Sequence, residues 1–412
     1  MVGTKVIIIG GGIAGPILSL FLKQKGFEPI IYERQESVTD AGLGLGLQPN
    51  GLIILDKIHG LLESLEGCAI ERFLMFSEVP EDAGILADSD APSKMKEKFG
   101  HSILSVKRTT FHRQLVEAAQ KAGVEVVFGH RLVSLKQDDN SVTVTFANGN
   151  TATASFVVGC DGLHSDTRIS LFGKEEPSYT GLAQCGGISP TPDILRGQKT
   201  MMNVFGNGVH FIAAVCNDTE TFWASTRREP ESKETWRSMD QEAQEKFKQE
   251  TVIRNWGNGV GELVSTATKI VKYGLYDRPE LSTWHKGRVV LIGDAAHPTS
   301  PHLGQGANQA FEDINLLTEL LKQNAPGSGE YSTESLEKIF TDFEKQRIPR
   351  CAQLVKEARR LGDQRVLVGV EACKERNNEM RMKFGTKDNE AMAFKLYERT
   401  LDLKKNTPSE SK

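Results

Sequence analysis

Residues 287–313 read GRVVLIGDAAHPTSPHLGQGANQAFED and carry the strongest structural signal in the chain. Residues 289–292 form an apolar run, too short for a helix and bounded by glycines, which predicts a strand buried on both faces. Asp294 follows at its carboxyl end, where a carboxylate can accept hydrogen bonds from ligand hydroxyls. Gly304 and Gly306 precede the next helix, whose free N–H groups then face that ligand. The stretch predicts a ligand-binding unit of an α/β sheet, with an ordinary strand–loop–helix as the alternative.

A glycine-rich turn lies between the first predicted strand and the first predicted helix. The apolar residues 6–9 are followed by GGGIAG at residues 10–15, a G-x-G-x-x-G in the context that dinucleotide binding requires. Gly10 permits the tight turn, and Gly12 lets a pyrophosphate reach the helix N-terminus. Gly15 lets the helix lie close to the sheet. A close-packed turn without a ligand is the alternative interpretation.

Two further segments extend this prediction. The second predicted strand, residues 27–32, ends in Glu33, at the spacing of a carboxylate that binds both ribose hydroxyls of a dinucleotide. Residues 41–50, AGLGLGLQPN, are rich in glycine but lack the lysine of a phosphate loop. Gly44 and Gly46 would let the backbone pack against a cofactor, although a simple flexible turn is also possible.

Another strand end offers a carboxylate to the same crevice. Residues 156–168 read FVVGCDGLHSDTR, in which Asp161 follows an apolar run. Its position predicts a contact with the dinucleotide site. The alternative is a structural role, in which Asp161 caps the following helix.

The quoted motifs resemble those of the single-component FAD-dependent aromatic hydroxylases, the family of 4-hydroxybenzoate and salicylate hydroxylases. The resemblance implies that Asp294 binds the ribityl chain and that the helix near Gly304 directs its amides at the pyrimidine edge of the flavin. It places Pro301 beside the reacting edge and Arg108 near the phosphate and ribityl region, where an ordinary surface arginine is the alternative. The predicted FAD contacts are Gly10, Gly12, Ala14, Gly15, Glu33, Arg34, Gly44, Gly46, Arg108, Asp161, Asp294, Gly304, Gly306, Ala307 and Asn308.

The predicted architecture is an α/β fold: a Rossmann-like FAD-binding domain with an inserted antiparallel-sheet substrate domain and C-terminal helices. Strands at 200–204, 209–215 and 221–227, separated by turn residues, indicate the antiparallel sheet. Residues 87–98 are polar and predict a surface excursion. The predicted parts are FAD-binding residues 1–72, 105–176 and 277–325, substrate-domain residues 73–104 and 177–276, C-terminal helices 326–403 and a disordered tail 404–412.

One departure from the family bears on the substrate. Salicylate hydroxylase-like relatives show Trp/Tyr-Arg-Gly where this chain has Cys185-Gly186-Gly187, so the arginine is missing. Without that cation, the expected substrate is neutral or hydrophobic and bound by apolar burial. The candidate pocket residues are His210, Trp223, Arg227 and Pro301, with core roles as the alternative for the histidine and the tryptophan.

The resemblance implies an FAD-dependent monooxygenase. NADH or NADPH would reduce the flavin, dioxygen would add to give a flavin hydroperoxide, and one oxygen would pass to an electron-rich, hydrophobic aromatic small molecule. Because the chain holds a single G-x-G-x-x-G, the nicotinamide donor has no Rossmann domain of its own, which disfavours reductases of the glutathione reductase type. Epoxidation, decarboxylative hydroxylation or ring expansion on the same fold remain alternatives, as does a non-catalytic flavin-binding protein. A halogenase is disfavoured because its Trp-x-Trp-x-Ile-Pro signature is absent.

Composition narrows the remaining classes. A net charge of −4 with scattered Lys and Arg predicts no nucleic-acid partner. The six cysteines lie far apart without a C-x-x-C, which predicts neither a metal site nor a disulfide framework and fits a cytoplasmic protein. No signal pattern or apolar run of about 20 residues is present, so no transmembrane segment is predicted. A monomer or a homodimer is expected.

Overall fold

The computed structural model describes residues 3–38, 42–231, 239–278, 280–326, 330–384 and 386–405. In these ranges the strands, in chain order, are β1 Lys5–Ile9, β2 Glu28–Tyr32, β3 Gly44–Leu47, β4 Cys68–Ile70, β5 Arg72–Ser77, β6 Gly84–Ser89, β7 Ile103–Lys107, β8 Glu125–Val127, β9 Leu132–Gln137, β10 Val142–Phe146, β11 Thr151–Ala154, β12 Phe156–Gly159, β13 Ser178–Pro190, β14 Thr200–Phe205, β15 Val209–Val215, β16 Glu220–Arg228, β17 Lys269–Asp277, β18 His285–Lys286 and β19 Val289–Leu291.

The α-helices of the described ranges are α1 Ala14–Gln24, α2 Pro49–Leu55, α3 Leu61–Ser64, α4 Ala91–Phe99, α5 Arg108–Lys121, α6 Asp166–Phe172, α7 Gln241–Glu250, α8 Val260–Ser265, α9 Gly306–Gln323, α10 Thr333–Arg365, α11 Val370–Lys383 and α12 Lys387–Lys405. Short 3₁₀ helices lie at Pro80–Asp82, Asp193–Leu195, Val252–Asn255, Gly293–Ala295 and Pro301–Leu303. None of these helices combines the length and the apolar character that a membrane crossing requires.

A six-stranded sheet in the order β18-β19-β12-β1-β2-β8 forms the first layer. Its strands run parallel except at the short edge pair β18 and β19. Val289, Val290 and Leu291 are fully buried, as the continuous apolar run predicts for a strand covered on both faces. Because parallel strands end at one edge, the loops after β1, β2, β12 and β19 share that edge.

A seven-stranded sheet in the order β17-β13-β16-β15-β14-β5-β6 forms the second layer, so the predicted fold class is confirmed. The strands predicted as antiparallel do pair that way, β14 with β15 and β15 with β16, whereas β5 from an earlier segment joins β14 in parallel. The two strands come from distant parts of the chain, and a pair without a hairpin connection can take either direction. Two three-stranded sheets, β11-β10-β9 and β3-β7-β4, complete the pairing.

The predicted surface excursion at residues 87–98 was wrong in part. Residues up to Ser89 belong to β6, and α4 follows directly. Met95 and Phe99 of α4 are buried in a core cluster, and Phe99 packs edge-on against Phe394 of α12. In the sequence, these two apolar residues, one helical turn apart, stand among charged residues and give no clear amphipathic pattern. Their burial depends on α12, which is distant in sequence.

Helix α10 joins the two layers. Its 33 residues span about 50 Å at the usual helical rise. Near its start, Arg288 beside the parallel sheet donates to Thr333 Oγ1 at 2.8 Å. Near its end, Arg359 pairs with Asp277 of the second sheet at 3.3 Å. The helix therefore carries C-terminal residues across to the second sheet. Residues 406–412, most of the predicted disordered tail, lie outside the described residues.

Candidate active site

A large cavity is lined by residues of both layers. Its volume is about 2300 Å³, beyond the roughly 300–1000 Å³ of a typical small-molecule site, so it can hold more than one ligand. The lining includes Gly10 and Glu33 at the edge of the parallel sheet, Asp294 after β19, and His210 on the second sheet. The cavity therefore connects the predicted dinucleotide site with the predicted substrate sheet.

The glycine-rich turn after β1 has the geometry that its sequence predicts. Gly10 has φ +107°, and a Cβ there would lie 2.6 Å from the carbonyl oxygen of Cys160. Gly12 has no atom within 4 Å of its Cβ position, so this part of the turn borders open space. Helix α1 begins at Ala14, and its N-cap residue Ile13 makes no side-chain capping bond. Its first amides are therefore not capped by that residue, as a phosphate-binding helix end requires.

Glu33 closes the turn from the next strand. Its Oε2 accepts a hydrogen bond from the Gly11 amide at 2.6 Å, and its Oε1 accepts one from the Gln35 amide at 2.9 Å. His112 of α5, which sequence reasoning missed, lies on the other side: its Nε2 donates to the Gly11 carbonyl at 2.6 Å. Burial lowers the pKa of His112, so the neutral ring acts as a donor that positions the turn.

Arg108 and Asp294 both line the next part of the cavity. Arg108 is the first residue of α5, and a Cβ on Gly42 would lie 2.5 Å from its Cδ. Burial lowers the pKa of Arg108, while the Asp294 carboxylate opposes that shift. A cation and an anion thus face one region of the cavity.

The start of α9 lies beside Asp294. Gly304 adopts φ +63°, and a Cβ on Gly306 would lie 3.8 Å from Asp294 Oδ1. Gly304, Gly306 and Ala307 line the cavity, as does Pro301.

Asn308 requires a correction, because it is buried outside the lining. Its Oδ1 accepts from the Gln48 amide at 2.9 Å, and its Nδ2 donates to the carbonyls of Gly304 at 2.8 Å and Gly46 at 3.1 Å. Asn308 lies one turn into α9 and faces strand β3, so it holds the helix start against that strand. Gly15 does not line the cavity either. A Cβ on Gly15 would lie 2.0 Å from the carbonyl oxygen of Gly10, so the glycine allows α1 to pack closely against the turn.

The carboxylate of Asp161 serves the following helix. It accepts from Ser165 Oγ at 2.5 Å, from the Thr167 amide at 2.9 Å and from Thr167 Oγ1 at 3.0 Å. These bonds match the alternative interpretation, in which Asp161 caps the following helix. The residue nevertheless lines the cavity.

Alternation along the second sheet determines which side chains reach the cavity. On β16, Phe222 and Ala224 line it, so Trp223 and Arg227 lie on the opposite face. The proposed pocket roles of Trp223 and Arg227 were therefore wrong. Trp223 donates from Nε1 to Ser189 Oγ at 2.9 Å in the core behind the sheet, and Arg227 pairs with Glu229.

Gly186 of β13 has no room for a side chain. A Cβ there would lie 2.5 Å from Leu43 Cδ1 and 2.5 Å from the Trp223 carbonyl oxygen. Leu43 and the backbone of Trp223 thus occupy the space that an arginine side chain at position 186 would need.

His210 lines the far end of the cavity, where its Nε2 donates to Asn203 Oδ1 at 3.0 Å. Burial, followed by Arg365, His302 and Arg376, holds the pKa of His210 well below its usual value. The ring is therefore neutral and acts as a hydrogen-bonding group.

Two further residues at this end were missed. His302 follows Pro301, and Arg365 is the last residue of α10, with its NH1 3.4 Å from His302 Nδ1. Both line the cavity. His302 could have been predicted from its place in the motif at residues 287–313, whereas no sequence pattern near Arg365 predicts that it lines the cavity.

A buried ion network holds α10 against α9. Arg347 donates from Nε to Asp313 Oδ1 at 2.6 Å and from NH1 to Glu312 Oε2 at 2.6 Å. Asp313 Oδ2 also accepts from the Gly293 amide at 2.9 Å and contacts His297 Nε2 at 2.6 Å. Although burial acts to raise it, the pKa of Asp313 is lowered by His297 and Arg347.

This network accounts for a possible metal-ligand group among the described residues, His297, Asp313 and Cys351. Arg347 already bonds Asp313 and donates to Cys351 Sγ at 3.4 Å. A guanidinium thus occupies the place of a cation, and the group is structural.

Comparison with known proteins gives one family match and many relatives. The model of a family described as FAD binding domain matches residues 3–358. A 3-amino-4-hydroxybenzoate 2-monooxygenase of Streptomyces cremeus is 29% identical over 402 residues, covering 97% of this chain and 96% of the relative. A 6-hydroxynicotinate 3-monooxygenase of Pseudomonas fluorescens is 29% identical over 367 residues, covering 85% and 89%.

Solved structures share the fold. Klebsiella pneumoniae HpxO, in a crystal structure with FAD and uric acid, superposes with a TM-score of 0.82 at 21% identity and covers 97% of both chains. The 2,6-dihydroxypyridine-3-hydroxylase from Arthrobacter nicotinovorans gives a TM-score of 0.70 at 20% identity, covering 89% of this chain and 96% of the other.

Proposed function

The chain belongs to this FAD binding domain family and is an FAD-dependent monooxygenase, and from that premise we propose that it uses NADH or NADPH and dioxygen to hydroxylate a small aromatic substrate. The observation that carries the proposal is the continuous cavity from the turn after β1 to the second sheet. A cofactor in the first part and a substrate in the second would share one enclosed space. When bound, FAD supplies the activation of dioxygen.

The described residues suit the cofactor. The open space at Gly12 and the start of α1 would accept the pyrophosphate. Glu33 lines the cavity and would accept hydrogen bonds from ribose hydroxyls, and Asp294 would do so from the ribityl chain. The first amides of α9, whose N-cap Gln305 makes no side-chain capping bond, would stabilise negative charge on the flavin ring.

The second part of the cavity suits an aromatic ring. Its lining includes Met201, Ile212 and Phe222. Helix α12 adds Phe394 and Tyr397, and Tyr397 donates to Gln48 Oε1 at 2.9 Å. These side chains would exclude water from the reacting atoms.

Oxygen transfer is the decisive test. The purified protein should be yellow with noncovalent FAD. It should oxidise NADH or NADPH faster when an aromatic substrate from a panel of hydroxybenzoates, phenols, indoles and prenylated aromatics is present. Mass spectrometry with ¹⁸O-labelled dioxygen should find one labelled oxygen in a hydroxylated product. Labelled product that is an epoxide or has lost carbon dioxide would favour the alternative reactions, and absence of FAD binding would refute the proposal.

A further inference from the structure

The side chain of Gln48 holds the turn that precedes α9. Gln48 follows β3 and is the N-cap residue of α2. Its Nε2 donates to the Leu303 carbonyl at 2.8 Å and to the Gly304 carbonyl at 3.2 Å. Gln48 is 8% exposed and lines the cavity, as do Leu303 and Gly304. A residue from a distant part of the chain thus fixes two carbonyls directly before α9.

Two donors determine the orientation of the Gln48 amide. Its Oε1 accepts from the Tyr397 hydroxyl of α12 at 2.9 Å and from Gln305 Nε2. Turning the amide over would place Oε1 against two carbonyl oxygens and Nε2 against the amide nitrogen of Gln305. The four hydrogen bonds therefore form in one orientation only, and Tyr397 takes part in directing Gln48 Nε2 at the turn.

The backbone of the turn fits closely around this contact. Gly304 has φ +63°, and a Cβ there would lie 2.7 Å from Gln48 Nε2. Asn308 Nδ2 donates to the same Gly304 carbonyl at 2.8 Å, and its Oδ1 accepts from the backbone amide of Gln48 at 2.9 Å. Two amide side chains from different elements converge on one carbonyl, so the turn is held in a single conformation.

The first amides of α9 follow this turn directly. The helix has 18 residues, and its N-cap Gln305 makes no side-chain capping bond. The start of such a helix carries a positive partial charge, whose effect on an anion is confined to the first turn. The conformation at Leu303 and Gly304 sets the direction of these amides. It therefore controls how strongly the anion of reduced flavin is favoured over oxidised flavin.

We propose that Gln48 is a positioning residue for the start of α9 and that Tyr397 of α12 acts through Gln48. Together they hold the first amides of α9 in the direction that stabilises reduced flavin. The effect is on bound FAD, so it goes beyond the proposed hydroxylation and does not depend on which aromatic substrate the protein takes. It gives the C-terminal helix a part in the chemistry of the cofactor.

The two-electron reduction potential of bound FAD tests the role of Gln48. Gln48→Met keeps an unbranched side chain but removes the amide and its hydrogen bonds. Reduced FAD should then bind about five-fold more weakly relative to oxidised FAD, which lowers the potential by about 20 mV. Anaerobic titration against reference dyes measures the potential on the FAD-loaded protein. An unchanged potential in folded Gln48→Met would overturn the proposal.

A double-mutant cycle tests whether Tyr397 acts through Gln48. Tyr397→Phe should lower the potential less than Gln48→Met, because Gln48 Nε2 can still donate to the turn. The double variant should have the potential of Gln48→Met alone, since the hydroxyl then has no amide to orient. No shift in Tyr397→Phe, or additive shifts in the double variant, would refute this route.

Tyr331→Phe is the matched control. Tyr331 and Tyr397 are each 5% exposed, and the Tyr331 hydroxyl donates to the Leu321 carbonyl at 2.8 Å. Tyr331 lies outside the cavity lining. Both tyrosine variants lose one buried hydrogen bond and should lower the melting temperature, but Tyr331→Phe should leave the potential unchanged. If Gln48→Met does not retain FAD, this pair decides: a lower potential in Tyr397→Phe alone supports the proposal, and equal potentials in the two variants overturn it.

Discussion

Arg347→Met should lower the melting temperature of the protein measurably. Arg347 is 4% exposed and bonds Asp313 and Glu312, which are 0% and 6% exposed. Methionine keeps the apolar stem but leaves two buried carboxylates without this guanidinium. Breaking a buried pair in this way costs about 3–5 kcal/mol. His297 and Arg350 still face the two carboxylates, which places the expectation near the lower figure.

The corresponding temperature shift follows from the size of the chain. At about 2.1 cal/mol/K per residue, 412 residues give an unfolding entropy of about 0.9 kcal/mol/K for a single cooperative transition. A loss of about 3–5 kcal/mol then lowers the melting temperature by about 3–6 °C. Scanning calorimetry of the FAD-loaded protein measures this shift directly.

A matched arginine makes the measurement specific. Arg227 pairs with Glu229, but its side chain is 42% exposed. An exposed pair contributes about 0–1 kcal/mol, so Arg227→Met should shift the melting temperature by about 1 °C or less. Equal shifts in Arg347→Met and Arg227→Met would show that the buried network does not hold α10 in place.

Three other predictions concern the cavity. Glu33→Ala and Asp294→Ala should each weaken FAD retention, because a charge-assisted hydrogen bond contributes about 1.5–3 kcal/mol. Flavin occupancy after gel filtration measures the effect, and full retention of FAD by the folded variants would contradict the assignment. Tyr397→Phe removes the hydrogen bond to Gln48 and should raise the fraction of NAD(P)H oxidation that yields hydrogen peroxide in place of hydroxylated product. An unchanged fraction would show that this contact of α12 does not help to exclude water. Burial lowers the pKa of His302 from 6.5 to about 3. The contribution of this residue to the free energy of unfolding is therefore fully present above pH 6.5 and falls by about 1.4 kcal/mol per pH unit as the pH drops towards 3. If the melting temperature of His302→Gln fell as steeply with pH as that of the wild type, His302 would not be the source of this dependence.

Local signals were sufficient for the cofactor part of the fold. The apolar runs that became β1 and β19 and the glycines at the turn after β1 act through neighbouring residues, so a short window of sequence contains their whole cause. The same holds for the strands of the second sheet, whose bounds follow from turn residues. The motif resemblance added Pro301 and Arg108, and both line the cavity.

Side-chain direction and distant contacts needed the tertiary structure. Trp223 and Arg227 share a strand with Phe222, but which alternate face meets the cavity depends on the position of the whole sheet. Asp161 and Asp294 both follow strands of the parallel sheet, yet only the fold shows that Ser165 and Thr167 engage the first.

The sequence by itself predicted a dinucleotide-like cofactor at the strand ends of a parallel sheet, because that information is local and repeated in several motifs. Only the tertiary structure decided which charged side chains of the C-terminal helices line the cavity. Arg365 reaches the cavity because a helix of about 50 Å, anchored midway by Arg347, carries it from one layer to the other. A long-range position of this kind leaves no periodicity and no spacing in the sequence around it.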